Sequence, residues 1–266
     1  MMMTNNSDKH NDSGMQWLWL ALIPLSIFVA LIVGLIQFQL PWQVEFPWVP
    51  SLGITLRFNF DSLSVLMLLL ITGIGTLVFV YAVGYLSHTS KRHRIFLVLP
   101  LFMLAMIGAV TADDVILFFV FWELTSVTSF LLVGFNHIQA EARNAARQAL
   151  FVTMGGGMAL LAGLLLLSDM AGSWSISEII ATAPGYYDDP RLPFAIILVL
   201  IGAFTKSAQF PFHFWLPNAM SAPTPVSAYL HSATMVKLGI YLMARLDPAF
   251  NDLLYWEFIL IGSGAV

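Results

Sequence analysis

The sequence predicts an all-α fold: a polytopic transmembrane helix bundle of about seven to eight spans, with one proline-broken helix. Three observations lead there. Of 266 residues, 59% are apolar and only 10% charged, whereas an ordinary soluble domain carries roughly 25% charged residues. Mean hydropathy is +0.83. The apolar residues fall in continuous runs close to the ~20 residues that a helix needs to cross a bilayer core, not in the alternating segments of a membrane β-barrel. The 11 basic and 15 acidic residues are too few to cover a soluble surface and form no basic patch for nucleic acid. With no cysteine, disulfide frames, iron–sulfur ligation and thiol chemistry are excluded.

The elements follow in order. Residues 1–14 form a polar N-terminal tail in which Lys9 is offset by Asp8 and Asp12, unlike the net-positive start of a signal peptide. Apolar runs then predict spans at 15–38, 62–86, 95–110, 115–135, 148–168, 193–210 and 222–244, with an eighth beginning near 253. Gly73, Gly75 and Gly155-Gly156-Gly157 offer small faces for close helix packing. The longest ordered connection is 169–192, with a turn at Pro184-Gly185. Basic residues in short loops set orientation. Lys9, Lys91, Arg92, Arg94, Arg143 and Arg147 share one side, against Arg57 and Arg191 on the other, which predicts a cytoplasmic N-terminus.

Three charged residues fall clearly within spans: Glu123, Lys206 and Lys237. Each costs about 2.5–3.5 kcal/mol at the bilayer centre, a penalty that marks intramembrane charges as functional candidates. The bland alternative is an ion pair of Glu123 and Lys206 that only holds two helices together. Such pairs seldom add stability over apolar packing, which disfavours it. A lysine beside a buried carboxylate gains or loses its proton as the carboxylate approaches or withdraws, so these residues suit a proton relay.

Prolines add geometry to the same region. Pro211 and Pro217 lack the N–H groups that would bond Ser207 and His213, so the helix carrying Lys206 is expected to break just beyond it. Broken helices at membrane depth line cavities or lie buried in protein; a kink made only for packing is the alternative. Pro223 and Pro225 open the next helix. His231 lies six residues before Lys237, about 9 Å along the axis, which suits a relay through water or Thr234. A merely packed histidine is equally compatible. His213 reads as interfacial, and no His, Asp or Glu spacing suggests a metal site.

The runs FFVFWELTSVTSFLLVGF (118–135) and GAFTKSAQFPFHFWLPNAMSAPTPVSAYLHSATMVKLGIYL (202–242) resemble the antiporter-like membrane subunits shared by respiratory complex I and Mrp cation/proton antiporters. FWELTS, PSLGI (50–54) and ITGIG (71–75) make the chain most similar to the N-terminal portion of the large A-type chain of the Mrp antiporters. The resemblance implies that Glu123 is the carboxylate paired with Lys206 of the broken helix. It implies that His231 and Lys237 relay protons sideways along a hydrated axis. It also implies coupling to sodium movement, other membrane subunits of the Mrp complex as partners, no cofactor, and a bacterial cytoplasmic membrane as the location.

Two departures stand out. One span, not two, precedes PSLGI, and the symmetric second half is absent, so residues 15–266 read as a first half-channel. The expected function is a subunit of a multi-subunit Na+/proton antiporter, a secondary transporter rather than an enzyme. The alternative is a proton-pumping membrane-arm subunit of an NADH:quinone oxidoreductase-like complex.

Overall fold

A computed structural model describes residues 17–49, 54–87 and 92–265. The polar tail with Lys9, the PSLG of PSLGI, and Lys91 lie outside the described residues. After a 3-10 turn at Leu18–Ala21, the chain runs through α1 (Leu22–Gln37), β1 (Trp42–Val49), β2 (Ile54–Phe60), α2 (Ser62–Tyr85), α3 (Arg92–Thr111) and α4 (Val115–Val133). It continues through α5 (Ala140–Ala171), α6 (Ile176–Thr182), α7 (Leu192–Lys206), α8 (Trp215–Ala219), α9 (Thr224–Ser227), a π-helical segment (Ala228–Thr234), α10 (Met235–Phe250) and α11 (Leu254–Gly264). Five helices among the described residues are long and apolar enough to cross a membrane, and α7 is a shorter apolar one. The interrupted α9–α10 passage and α11 account for the remainder of the expected bundle.

Side-chain caps fix where α2 and α4 begin. Asp61 accepts from the Ser64 N–H while the Ser64 hydroxyl accepts from the Asp61 N–H, closing a capping box ahead of α2. Asp114 accepts from the N–H groups of Ile116 and Leu117, both at 2.9 Å, and so starts α4. At the far end of α5, Gly172 takes the left-handed conformation that ends many helices.

The 42–60 connection forms a β-hairpin that the apolar-run ruler does not anticipate. Its second strand, ITLRFNF, alternates apolar and polar residues, and the antiparallel register pairs Trp42 with Phe60, Val44 with Phe58 and Glu45 with Arg57. The hairpin seats on the bundle end through Asp113, whose N–H donates to the Arg57 carbonyl at 2.9 Å. The Asp113 carbonyl accepts from the Ile176 N–H at 2.7 Å, joining α6 to the same end.

The proline-broken helix is present, with shifted bounds. Helix α7 stops at Lys206, short of the expected 210, because the next residues leave helical geometry and Ala208 adopts φ 51°. A left-handed non-glycine residue costs roughly 1–2 kcal/mol and persists only where its surroundings impose it. The Trp215 indole N–H caps the freed Thr205 carbonyl at 2.9 Å. The expected 222–244 span is likewise not one helix. It is α9, a π-helical turn and then α10, which continues through Pro248 to Phe250. The Thr234 hydroxyl donates to the Tyr229 carbonyl five residues earlier, at 2.6 Å, holding the widened turn.

Candidate functional site

The site is built where α4, α5, α7 and the π-helical segment meet. The Asp114 cap sets the register of α4, which carries Glu123 about 12 Å along the axis from its first residue. Both Glu123 carboxylate oxygens are buried and have no hydrogen-bond partner among the described protein groups. Helix α5 reaches this carboxylate through glycine. A Cβ placed on Gly157 would overlap Glu123 Oε1, and one on Gly156 would overlap Thr205 Oγ1. Gly156 therefore lets α5 pack against α7 at a distance that a side chain would disturb, and Gly157 leaves the space that the end of the Glu123 side chain occupies.

Lys206, the last residue of α7, is completely buried. Its Nζ donates to the Trp122 carbonyl at 2.9 Å and to Ser126 Oγ at 2.8 Å, and lies 5.0 Å from the Trp122 ring centroid. No ion pair joins it to Glu123. The two charges are not in contact, but they lie close enough to act on each other electrostatically. Trp122 and Ser126 are four residues apart and present their oxygens on one face of α4. Glu123 is rotated about 100° around the helix, toward α5.

His231 is buried in the π-helical segment with both ring nitrogens unpartnered among the described residues. It packs edge-on against Trp215, with centroids 5.9 Å apart. Through that indole it neighbours Thr205, the residue before Lys206. Lys237 is half-buried and makes no side-chain hydrogen bond or ion pair with a described residue. The Ser207 hydroxyl donates to the Val236 carbonyl at 2.7 Å, linking the residue after Lys206 to the one before Lys237. Adjacent residues thus bring the four candidates into one region, although none of the four bonds another directly. His213 is exposed and stacks on Phe210.

One buried ionic cluster escaped the reading of the sequence. Arg245 is only 6% exposed, donates to the Asp61 carboxylate and lies 3.8 Å from Asp113 Oδ1. Asp113 also accepts from Ser175 Oγ at 2.7 Å, from the Ser177 N–H at 3.0 Å and from Ser177 Oγ at 2.5 Å. Burial pushes the Asp61 carboxyl upward, but the Ser64 hydrogen bonds and the Arg245 charge outweigh it and hold it below the usual aspartate value. The available signal was helical phase: Arg245 follows Leu238, Tyr241 and Leu242 on one face of α10, all of them buried.

Residues 112–266 match the family described as "NADH:quinone oxidoreductase/Mrp antiporter, TM", and residues 46–96 match "NADH-Ubiquinone oxidoreductase (complex I), chain 5 N-terminus". The chain belongs to this family of antiporter-like membrane subunits. It is similar to the A-type Na(+)/H(+) antiporter subunit of Alkalihalophilus pseudofirmus, 48% identical over 93% of this chain and 31% of that protein. The A1-type counterpart from Staphylococcus haemolyticus is 48% identical over 81% of this chain and 27% of its own length. The chain therefore spans about a third of the length of the curated relatives it matches. Those relatives carry the names of antiporter subunits, transporters rather than enzymes.

Among solved structures, the Mrp complex from Dietzia sp. DQ12-45-1b aligns with a TM-score of 0.83 at 38% identity, over 95% of this chain and 27% of the compared one. The archaeal membrane-bound sulfane sulfur reductase, a respiratory complex, shares the fold with a TM-score of 0.79 at 22% identity, over 90% of this chain and 49% of the compared one. This antiporter-family chain is accordingly a multi-pass membrane protein, and its motifs are those of the N-terminal part of the A-type Mrp chain.

Proposed function

We propose that residues 15–266 form a proton-translocating half-channel of a multi-subunit monovalent cation/proton antiporter, with Na+ as the exchanged cation. The observation that carries this reading is Lys206. Its completely buried ammonium ends an interrupted helix and bonds the carbonyl of Trp122, the residue before a carboxylate whose oxygens have no described partner. Burying an ion costs several kcal/mol, a cost that a purely structural helix end avoids with an apolar residue. Unpartnered buried groups such as Glu123 and His231 recruit internal water, which conducts protons between side chains too far apart to bond. In this scheme Glu123 receives a proton, Lys206 exchanges it as its hold on Ser126 is made and released, and His231 and Lys237 carry it onward along α10.

The cation path and the other membrane subunits of the complex complete the function. The naming of the relatives as Na(+)/H(+) antiporter subunits and the likeness to an Mrp complex support this reading. We assign the chain to a bacterial cytoplasmic membrane with its N-terminus inside, following the basic loops. Lys206→Ala in the assembled complex is expected to abolish antiport in everted vesicles while leaving the chain in the membrane. Full retained activity would refute the relay. The shared fold of a respiratory complex keeps one other reading in view, a pump component driven by redox partners. Flavin and iron–sulfur proteins co-purifying with the chain would favour it, since the chain has no cysteine of its own.

A further inference from the structure

A crevice of about 510 Å³ opens between the first turns of α3 and the end of α4, and none of Glu123, Lys206, His231 and Lys237 lines it. Its volume falls within the usual range of ligand sites. Its walls are apolar, formed by Leu97, Val98, Phe130, Leu131 and Phe135. Leu97 is 67% and Leu131 49% exposed, so the crevice opens on the outer face of the bundle and not into its core. His93, Arg94 and His137 lie at its end, and no described acidic residue lines it. Arg94 makes no ion pair with a described residue. The Arg143 guanidinium adds a second positive charge beside the rim, donating to the His137 carbonyl at 2.8 Å and to the Ile138 carbonyl at 3.0 Å.

We propose that this crevice binds one anionic phospholipid, with an acyl chain along Leu97 and Leu131 and the phosphate at Arg94. Arg94 precedes Val98 by four residues, about 6 Å along α3, so one molecule can place its phosphate on the guanidinium while its chain descends the apolar wall. A free phosphate would leave that wall uncovered. A zwitterionic lipid would bring its own ammonium against the Arg94 and Arg143 guanidinium groups, and no described acidic residue lines the crevice to receive it. Basic crevices of this kind between helices are typical of anionic headgroup recognition at the membrane surface. The inference does not depend on the transport reading.

The test uses the chain purified with the proteins that accompany it, in nanodiscs of phosphatidylglycerol and phosphatidylcholine. A phosphatidylglycerol bearing a diazirine in its acyl chain is the probe. Labelling is expected on the peptides containing residues 93–98 and 130–137, with competition by unlabelled phosphatidylglycerol but not by phosphatidylcholine or inorganic phosphate. Arg94→Gln should lower labelling about fivefold, the effect of one cation near the surface. Leu97→Trp, which fills the crevice and keeps the charge, should lower it as well. Equal competition by phosphatidylcholine, competition by inorganic phosphate, or unchanged labelling in both variants overturns the proposal. Protection of these peptides by a neighbouring protein of the complex also overturns it.

Discussion

The Lys206 ammonium donates to the Ser126 hydroxyl at 2.8 Å across 80 residues of sequence, and with the Trp122 carbonyl this hydroxyl supplies the acceptors that the nearby Glu123 carboxylate does not. The lysine is therefore docked on α4 without a direct bond to the carboxylate, although each charge still lies in the other's field.

Ser126→Ala removes one of the two acceptors. A hydrogen bond to a charged group contributes about 1.5–3 kcal/mol, so antiport in everted vesicles should fall at least about tenfold with the complex still assembled. Ser126→Thr keeps the hydroxyl and should retain most of the activity. Equal rates for Ala and the native residue would show that Ser126 does not position Lys206.

Glu123→Gln keeps the shape of the side chain and deletes its charge. Antiport is expected to be lost while the melting temperature of the complex is held or raised, because an unpaired buried carboxylate is no longer present. A variant that transports normally would remove Glu123 from the relay.

Gly157→Ala inserts a methyl where Glu123 Oε1 lies. Because the displaced atom is the end of a flexible side chain, the cost is expected at or below the low end of the usual overpacking range, about 1 kcal/mol. The loss should shrink when Glu123 is also replaced by Ala, since the clash partner is then gone. A double-mutant cycle read by thermal denaturation measures the coupling, and strict additivity of the two changes would contradict the contact.

Arg245→Leu leaves Asp61 and Asp113 without their shared cation, a change expected to cost about 3–5 kcal/mol in thermal stability. The acid side offers a second check. Because the folded Asp61 carboxyl titrates below its usual value, its contribution is complete above about pH 4 and is lost as pH falls through the lower folded value. Asp61→Asn should lose stability at neutral pH and lack this component of the acid decline. Parallel acid profiles for the two proteins would count against the assignment.

Much of the fold was legible in the sequence because a bilayer imposes a length. The runs that became α2, α3 and α4 match the helices within a few residues, since a continuous apolar run at that length satisfies its backbone within one segment only as a helix. Pro211 announced the interruption after Lys206, but its onset was set elsewhere, by the left-handed Ala208 and the Trp215 indole on the Thr205 carbonyl. The hairpin was missed although ITLRFNF carries a period of two, because a search for long apolar runs passes over short alternating ones.

By itself, the sequence determined that this is a helical membrane protein and singled out Glu123, Lys206, His231 and Lys237, because composition and depth make buried charges conspicuous. Only the tertiary structure decided what those charges touch. Lys206 met Ser126 and the Trp122 carbonyl, Glu123 met the gap left by Gly157, and Arg245 met two aspartates from distant loops. The physical reason is that hydropathy is a property of single residues along the chain. The partner of a side chain depends on which face of each helix turns toward which neighbour, and small residues, caps and carbonyls released at a break set that rotation.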